Sequence, residues 1–461
     1  MLNTNQRGKS LGGHTIRGVF LSLNLMMSAA VVANGTTVTV PPPNGSDDTS
    51  NVQAALTACV VHGAGCTVQL QTGTYLSRQL VTYNFRGALK GMGKQSTIIE
   101  ALPNLPVTED DTHPCQPNAS TCLWPSFIIF VDGDIRILDL SVHMPATEGT
   151  ATVSGFLDAG IRVMGQHPTN LYIDDVDVEG RPDDTTFFGY NVLNGIMYTG
   201  ELNSSSVDPT TLPCGAAGGF YWLSGSYTVR NSSVKTIFSA ITQDGCVRSS
   251  HITIGGSAFT GNHFDNVCTG TDMATLEGSS VEISYNESSA SAQGEVFLGV
   301  CAAMWVIPWL GLDPSVFSPS EPSQYSIHDN KLFTTGQFTE GIFLLDQPPS
   351  LFIDAVVWNN TIKLQNTLSE GIGVVNTKGT IVLNNSIVGS DTLDAIGLYS
   401  STLGTIINNG VSTVTIDGSV GNGAEIFLDP GTSQDFVLCA TPSDTVRNQG
   451  TGNIVVRCTP R

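Results

Sequence analysis

The chain contains few charged residues, and basic residues are the scarcest of them. Only 13% of its 461 residues are Asp, Glu, Lys or Arg, whereas ~25% is usual for a globular protein. The 19 Lys and Arg are outnumbered by 40 Asp and Glu, which gives a formal net charge of −21. An acidic surface of this kind repels phosphate groups, so we exclude nucleic acids and anionic membranes as partners. It also disfavours polyanionic sugars, unless bound cations bridge the carboxylates.

Long segments rich in Ala, Glu, Lys and Leu are also missing, which argues against a helical protein. Instead, the chain has 49 Gly among its 461 residues, well above the ~7% average, and Ser, Thr, Asn, Val and Ile are abundant. This composition is typical of many short strands joined by tight turns. Hydrophobic residues make up 40% of the chain, so it can bury a large core, and the composition is not that of a disordered protein.

The N-terminal segment has the pattern of a secretory signal. Arg7, Lys9 and Arg17 precede an apolar run over residues 19–33 that ends in small side chains. A basic region followed by a short apolar region is typical of a signal peptide, and this run is shorter than the ~20 residues that span a bilayer. We therefore expect residues 1–33 to be a signal peptide. The mature protein would then be secreted, extracellular or periplasmic, with no membrane insertion.

The ten cysteines favour disulfides over a metal site. Their number is even, and disulfides are expected in an exported chain. Neither a Cys-x-x-Cys nor a His-x-x-x-His spacing occurs, which argues against structural zinc. Three pairs are suggested by short separations: Cys59 with Cys66, Cys115 with Cys122, and Cys439 with Cys458. The pairing of the other four stays open: Cys214, Cys246, Cys268 and Cys301.

A repeated motif predicts the fold. An apolar–x–apolar pair followed by Asn, Asp or Gly recurs along the chain, and the second apolar residue of each copy is Ile137, Ile173, Val229, Ile254, Ile283, Ile327, Trp358, Leu383 or Ile407. The shortest steps are 24, 25, 25 and 29 residues, the length of one coil of a solenoid. Asn and Asp suit a recurring tight turn, and stacked amides can bond from coil to coil. A β-sandwich would show turns every ~8–12 residues without this longer period.

The N-terminal region predicts a cap. The segment Ser46-Asp47-Asp48-Thr49 precedes apolar residues at helical spacing, which are Val52, Ala55, Leu56 and Cys59. This pattern indicates a capped amphipathic helix, and a solenoid needs such an element over its open end. A Gly73-Thr74-Tyr75 strand and a Gly91-Met92-Gly93 turn follow.

With these motifs, residues 45–100 resemble the N-terminal segment of the pectate-lyase-like superfamily of right-handed parallel β-helix proteins. In that family an Asp-Asp-Thr…Ala-Ala-Leu helix precedes a Gly-Thr-Tyr strand and a Gly-x-Gly turn. The resemblance implies an all-β, single-stranded right-handed parallel β-helix with an N-terminal cap helix. The expected organisation is a cap with the first coils at 34–130, a β-helix at 131–436 with insertions at 179–226 and 288–324, and a C-terminal cap at 437–461.

Acid–base candidates lie in the middle of the chain. Asp244, Arg248 and His251 are followed one coil later by His263 and Asp265, and we expect these five residues to converge on one face of neighbouring coils. A glycosidase needs two carboxyl groups, one of them protonated. A lyase needs a base and a cation that neutralises the uronate.

The same segment is similar to the polygalacturonase pattern, in which an Asp-Asp-Cys motif precedes a Gly-His-Gly motif one coil later. Asp244, Cys246 and His263 match that pattern. The remaining polygalacturonase motifs and the Arg-x-Pro-x-x-Arg signature of pectate lyases do not occur. The catalytic machinery of neither family is therefore carried over.

Two further groups suggest binding functions. Aromatic residues of the insertions would stack on sugar rings or pack the loops against the wall, and these are Tyr221, Trp222, Trp305 and Trp309. Asp177 and Glu179 share the outer face of a strand, ~6.5–7 Å apart. Such oxygen ligands suit Ca²⁺, although they also fit a solvated acidic stripe.

Two classes of function follow. The first is a secreted carbohydrate-active β-helix protein that acts on a polysaccharide as a pectate-lyase-like lyase or a glycoside hydrolase. The alternative is a noncatalytic extracellular β-helix that binds cell-surface glycans or serves a structural role. A complete acid–base set in one groove would favour the enzyme.

Overall fold

The computed structural model describes residues 35–102, 126–144, 157–180, 192–200, 214, 221–291, 301–308, 319–335, 339–347, 351–365, 369–390, 394–415 and 425–460. The predicted signal peptide lies outside these residues. Nearly all regular elements are β-strands, and the described residues contain one helix, α1 (Thr49–His62).

The strands are short and follow one another around the molecule. The first half comprises β1 (Thr37–Thr39), β2 (Cys66–Gln69), β3 (Gly73–Ser77), β4 (Leu80–Lys90), β5 (Thr97–Ala101), β6 (Ser126–His143), β7 (Leu157–Gly165), β8 (Asn170–Glu179), β9 (Val192–Gly200), β10 (Ser226–Arg230), β11 (Ser233–Lys235), β12 (Ser239–Asp244), β13 (His251–Gly255), β14 (His263–Val267), β15 (Thr269–Met273), β16 (Ser280–Ser284) and β17 (Glu287–Ser291). The second half comprises β18 (Cys301–Val306), β19 (Ser323–His328), β20 (Lys331–Thr335), β21 (Thr339–Leu345), β22 (Ile353–Trp358), β23 (Thr361–Gln365), β24 (Ile372–Val375), β25 (Ile381–Leu383), β26 (Ser386–Ser390), β27 (Ile396–Tyr399), β28 (Thr405–Ile407), β29 (Gly410–Thr415), β30 (Ile426–Leu428), β31 (Phe436–Leu438), β32 (Thr445–Asn448), β33 (Ile454–Val456) and β34 (Thr459–Pro460).

From β7 onwards each strand pairs in parallel with the strand one coil away, so the strands form three long parallel sheets. β8 is long enough to pair with both β10 and β11, so it precedes the first strands of sheets B and C listed below. Sheet A contains β7, β9, β12, β15, β18, β21, β24, β27, β30, β32 and β34. Sheet B contains β10, β13, β16, β19, β22, β25, β28, β31 and β33. Sheet C contains β11, β14, β17, β20, β23, β26 and β29. This architecture is the parallel β-helix that the repeat predicts.

Stacked apolar side chains fill the interior. On sheet B one inward row consists of Val229, Ile254, Ile283, Ile327, Val357, Val382, Ile406 and Val437, all of them buried. Burying each such side chain contributes ~1.5–3 kcal/mol. The sequence motif identified the first four members correctly. At Trp358, Leu383 and Ile407 it was displaced by one residue, because alternating strands place the residue before each of these inside.

A ladder of buried asparagines connects the coils at the turn from sheet B to sheet C. Its members are Asn262, Asn286, Asn330, Asn360, Asn385 and Asn409. Each side-chain Nδ2 donates to the Oδ1 of the next member at 2.9 to 3.0 Å. The residue before five of them has a positive φ between 52° and 59°, a conformation that favours Asn and Asp. The predicted coil-to-coil amide bonds are therefore confirmed.

The cap helix occupies its predicted position. Val52, Ala55, Leu56 and Cys59 are its buried residues, as the helical spacing indicated. Asp48 is the N-cap residue of the helix, and Asp47 supports the first turn, since its Oδ1 accepts a hydrogen bond from the backbone N–H of Thr49 at 3.0 Å. α1 packs against β1, β2, β3 and β4, so it covers the first coils of the solenoid.

Four disulfides are present in the described residues: Cys59–Cys66, Cys214–Cys246, Cys268–Cys301 and Cys439–Cys458. The first and last are pairs that the sequence predicts, and the two central ones resolve the open pairing. Cys115 and Cys122 lie outside the described residues. None of the helical structure in the described chain is long and apolar enough to cross a membrane.

The structure also bears on the expected organisation of the chain. Each predicted insertion, 179–226 and 288–324, contains a strand of sheet A, β9 and β18 respectively. Within 437–461, where a C-terminal cap was expected, β32, β33 and β34 continue the parallel ladders.

Candidate functional site

The outer face of sheet A carries carboxyl groups in three successive coils. Glu340, Glu370 and Asp394 each lie two residues before an inward Ile of the same register row. The strand alternation is interrupted between them, because Gly341 and Gly371 also face the interior: a β-carbon there would lie 2.6 Å from Ile362 or 2.7 Å from Ile387, both buried. The carboxyl groups therefore lie on the outer face. The backbone N–H of Gly341 donates to the Glu370 carbonyl at 2.9 Å, so the residues stack at the strand spacing of ~4.8 Å. Glu370 is 6% exposed and Asp394 is 0% exposed, whereas Glu340 is half-buried.

Burial and the repulsion between neighbouring carboxyl groups raise the pKa values of Glu340 and Glu370. Burial, followed by the charge of Glu370, raises the pKa of Glu340 well above its ordinary value. Burial and the charge of Asp394 raise the pKa of Glu370 to about 8, even though the Tyr399 hydroxyl opposes that shift by donating to Glu370 Oε1. Two carboxyl groups with unequal proton affinity are the requirement for acid–base work by a pair.

Two glycines make room for this arrangement. A β-carbon at Gly373 would lie 2.8 Å from Glu370 Oε2, 3.0 Å from Phe343 Cδ2 and 3.5 Å from Glu340 Oε2. A β-carbon at Gly397 would lie 2.5 Å from Tyr399 Cε2. The glycines therefore allow the carboxyl groups and the phenol ring to lie directly on the sheet.

Aromatic rings border the carboxyl row on both sides along the solenoid. Trp305 and Phe343 meet edge to face with ring centroids 6.3 Å apart. Tyr399 and Phe427 lie with centroids 5.7 Å apart. The result is a patch of carboxyl groups between aromatic side chains, a combination that suits a polar ligand with apolar ring faces.

Two polar atoms of this patch have no hydrogen-bond partner among the described residues. They are Glu340 Oε2, an acceptor, and Trp305 Nε1, a donor, and both are shielded from solvent. Unpaired buried polar atoms are uncommon and costly, so their presence often marks a functional site.

The five residues expected to converge do not share a face. Asp244 is the last residue of β12 in sheet A, where its backbone pairs with Thr199. His251 is exposed on sheet B, and His263 and Asp265 are exposed on sheet C. Arg248 lies between sheets A and B.

The predicted aromatic binding residues are also distributed. Trp305 is on the outer face of sheet A, in the patch described above. The Arg248 guanidinium lies 4.9 Å from the centre of the Trp222 ring. Tyr221 precedes Trp222 and is half-buried, while Trp309 lies outside the described residues.

Asp177 and Glu179 lie on the same outer face of β8, but each already faces a cation. Lys94 Nζ is 3.3 Å from Asp177 Oδ1, and Lys235 Nζ is 3.9 Å from Glu179 Oε2. Within the described parts of the chain, no three carboxylate, His or Cys side chains are grouped to hold a metal ion. The described residues therefore supply no third ligand for a Ca²⁺ ion at Asp177 and Glu179.

Sequence reasoning missed the residues of the carboxyl row. A signal for them exists, because Glu340-Gly-Ile and Glu370-Gly-Ile are followed by Asp394-Ala-Ile. These three segments occupy the same position in consecutive coils. They repeat in sheet A, whereas the motif that predicted the fold repeats in sheet B.

Comparison with known proteins supports the fold assignment. No protein-family model and no curated protein matches the chain. Among solved structures, DFA-IIIase from Arthrobacter chlorophenolicus A6 in complex with GF2 aligns with a TM-score of 0.50 at 12% identity, covering 88% of this chain and 94% of its own. The A-module of mannuronan C-5 epimerase AlgE6 from Azotobacter vinelandii aligns with a TM-score of 0.37 at 13% identity, covering 90% of this chain and 96% of its own. The GH87 α-1,3-glucanase catalytic unit from Streptomyces thermodiastaticus strain HF3-3 aligns with a TM-score of 0.43 at 11% identity, covering 92% of this chain and 68% of its own.

At these identities the likeness concerns the fold alone. The chain has the right-handed parallel β-helix fold that its N-terminal motifs predicted.

Proposed function

We propose that the protein is an exported carbohydrate-active enzyme that cleaves a polysaccharide as a glycoside hydrolase. The observation that carries this proposal is the pair of carboxyl groups, buried Glu370 and half-buried Glu340, between aromatic residues on the outer face of sheet A. The structural neighbours, whose names include an α-1,3-glucanase and DFA-IIIase, are consistent with a carbohydrate substrate.

The pair divides the chemistry between its two members. Glu340 keeps its proton to higher pH and would donate it to the glycosidic oxygen as that bond breaks. Glu370 ionises first, since Tyr399 donates to it, and its carboxylate would attack the anomeric carbon. Water then hydrolyses the glycosyl ester, while Glu340 takes a proton from that water and is restored. The strand spacing of ~4.8 Å is close to the ~5–5.5 Å between carboxyl groups of retaining enzymes, so we expect retention of configuration.

Export is supported by the disulfides. The four described pairs would not persist in a reducing cytosol. Together with the expected signal peptide at residues 1–33, they favour a secreted, extracellular or periplasmic protein. Its partner is then a polysaccharide or a cell-surface glycan.

A polysaccharide panel tests this function. Reducing ends report hydrolysis, and absorbance of unsaturated products reports elimination. Glu370→Gln and Glu340→Gln should each lower turnover by about 10²–10⁴-fold. The matched control is Asp354→Asn, another carboxyl-to-amide change, at an exposed position of sheet B, and it should keep wild-type turnover. Full activity of both glutamine variants would refute the site, and glycan binding without turnover would favour the noncatalytic class.

The same experiment also tests the acid–base candidates that the sequence analysis named in the middle of the chain. If Asp244→Asn and His263→Ala abolish turnover while Glu370→Gln does not, the active site lies at the earlier coils instead.

A further inference from the structure

The outer face of sheet A lacks basic residues over a long stretch. Eight consecutive strands of this sheet contain no Lys, Arg or His: β9, β12, β15, β18, β21, β24, β27 and β30. The same strands, with the two residues before each, contain six acidic residues: Asp244, Asp272, Glu340, Glu370, Asp394 and Glu425. In sheet A, Arg162 and Arg447 lie on strands outside this stretch.

This composition has a consequence for ligand charge. A uronate that binds to this face loses hydration, and none of these eight strands offers a Lys, Arg or His to neutralise its charge. Burying an uncompensated charge is costly. An uncharged sugar incurs no such penalty, and its ring faces can pack on Trp305 and Phe343.

The two unpartnered atoms point to a particular chemical group. Trp305 Nε1 can only donate and Glu340 Oε2 is an acceptor without a donor. Sugar hydroxyl groups can accept a hydrogen bond from the first and donate one to the second. Both side chains are partly exposed, so a ligand on this face can contact them.

We propose that Trp305 and Glu340 form a subsite that binds hydroxyl groups of an uncharged sugar, and that the face selects neutral glycans over polyuronates. This inference rests on the proposed function only for the site's location. Binding can be measured without turnover, so the two can fail separately.

The experiment measures binding to the Glu370→Gln variant by titration calorimetry. The neutral probes are inulin, dextran and laminarin. A matched pair is polygalacturonate and the same polymer with its carboxyl groups reduced to hydroxymethyl groups. We expect at least one neutral probe to bind, and we expect reduction of polygalacturonate to strengthen its binding at least tenfold, with or without added Ca²⁺.

Trp305→Phe should then weaken binding of the neutral probe about five- to tenfold, the value of one lost hydrogen bond. Trp358→Phe is the matched control, because Trp358 is half-buried on the outer face of sheet B, stacked on His328, and its replacement should leave affinity unchanged. Unchanged thermal unfolding would show that both variants fold.

Each outcome is decisive. Tighter binding of the polyuronate, no effect of Trp305→Phe, or no binding of any probe would overturn the subsite. If a neutral glycan binds and Trp305→Phe weakens that binding, but the wild-type protein hydrolyses no glycan, the subsite is supported and the proposed hydrolase activity is refuted.

Discussion

At the scale of single residues, the environment of Glu370 determines what the site can do. Its carboxyl group is buried beside Asp394 and receives one hydrogen bond, from the Tyr399 hydroxyl. None of this is visible in the sequence, because Glu370 and Tyr399 are 29 residues apart and meet only through the coil register. Sequence reasoning favoured Asp244 and His263 instead because they belong to a compact motif.

The Tyr399–Glu370 contact gives a pH prediction. The donated hydrogen bond favours the ionised carboxyl group, so its removal in Tyr399→Phe should raise the pKa of Glu370 above its value of about 8. Because the proposed mechanism needs Glu370 ionised, the rising limb of the kcat–pH profile should move to higher pH. The phenyl ring still packs on Gly397, which limits structural effects.

The carboxyl stretch of Glu370 in infrared difference spectra would measure its protonation without reference to activity. Tyr285→Phe, the same change at a tyrosine in the turn between sheets B and C, serves as the control. A limb that stays in place in Tyr399→Phe would contradict the role given to this hydroxyl.

At the scale of elements, the turn between sheets B and C is the most regular part of the molecule. The repeat of apolar pairs followed by Asn or Asp was enough to predict parallel coils, since both the buried row and the ladder belong to it. The cap helix was equally readable from its four apolar residues. Sheet A gave a weaker signal, because Gly, Ala and acidic residues on its face replace the usual alternation.

Removing one member of the ladder should weaken the fold. Asn330→Ala removes donors to Asn360 Oδ1 and to the Ile283 carbonyl. It also removes the oxygen that accepts from the backbone N–H and from the side-chain Nδ2 of Asn286. Unsatisfied buried groups cost ~1–3 kcal/mol each, so the midpoint of denaturant unfolding should fall clearly.

Asn384→Gly is the comparison for that variant. Asn384 is an exposed turn residue with φ of 52°, a conformation that Gly adopts readily, so the midpoint should change little. Equal midpoints for Asn330→Ala and the wild type would show that the ladder contributes no net stability.

At the scale of the whole molecule, the raised carboxyl pKa values link folding to pH. Glu370 has an ordinary pKa of 4.5 and a folded pKa of about 8, so between these values the folded state holds a proton that the unfolded state has released. Its contribution to the free energy of unfolding is complete below pH 4.5 and is lost as the pH rises towards 8. Burial raises the pKa of Asp435 from 3.8 to about 6. Its contribution to the free energy of unfolding is likewise lost as the pH rises from 3.8 towards 6.

The midpoint of thermal unfolding should therefore decrease between pH 5 and pH 8. In Glu370→Gln the decrease should be smaller, because that side chain no longer titrates. Asp265→Asn, which alters an exposed carboxylate, should retain the wild-type slope. A slope that is the same in all three proteins would contradict the buried, protonated state of Glu370.

The asparagine ladder also shows how the chain can vary in length without changing its wall. Successive members are separated by 24, 44, 30, 25 and 24 residues, yet the distances that join their side chains are nearly equal. Distance along the sequence is thus uncoupled from distance along the axis. Segments between the strands are free to be lengthened, shortened or exchanged while the wall beneath keeps its spacing, which makes this architecture a scaffold that tolerates the replacement of loops.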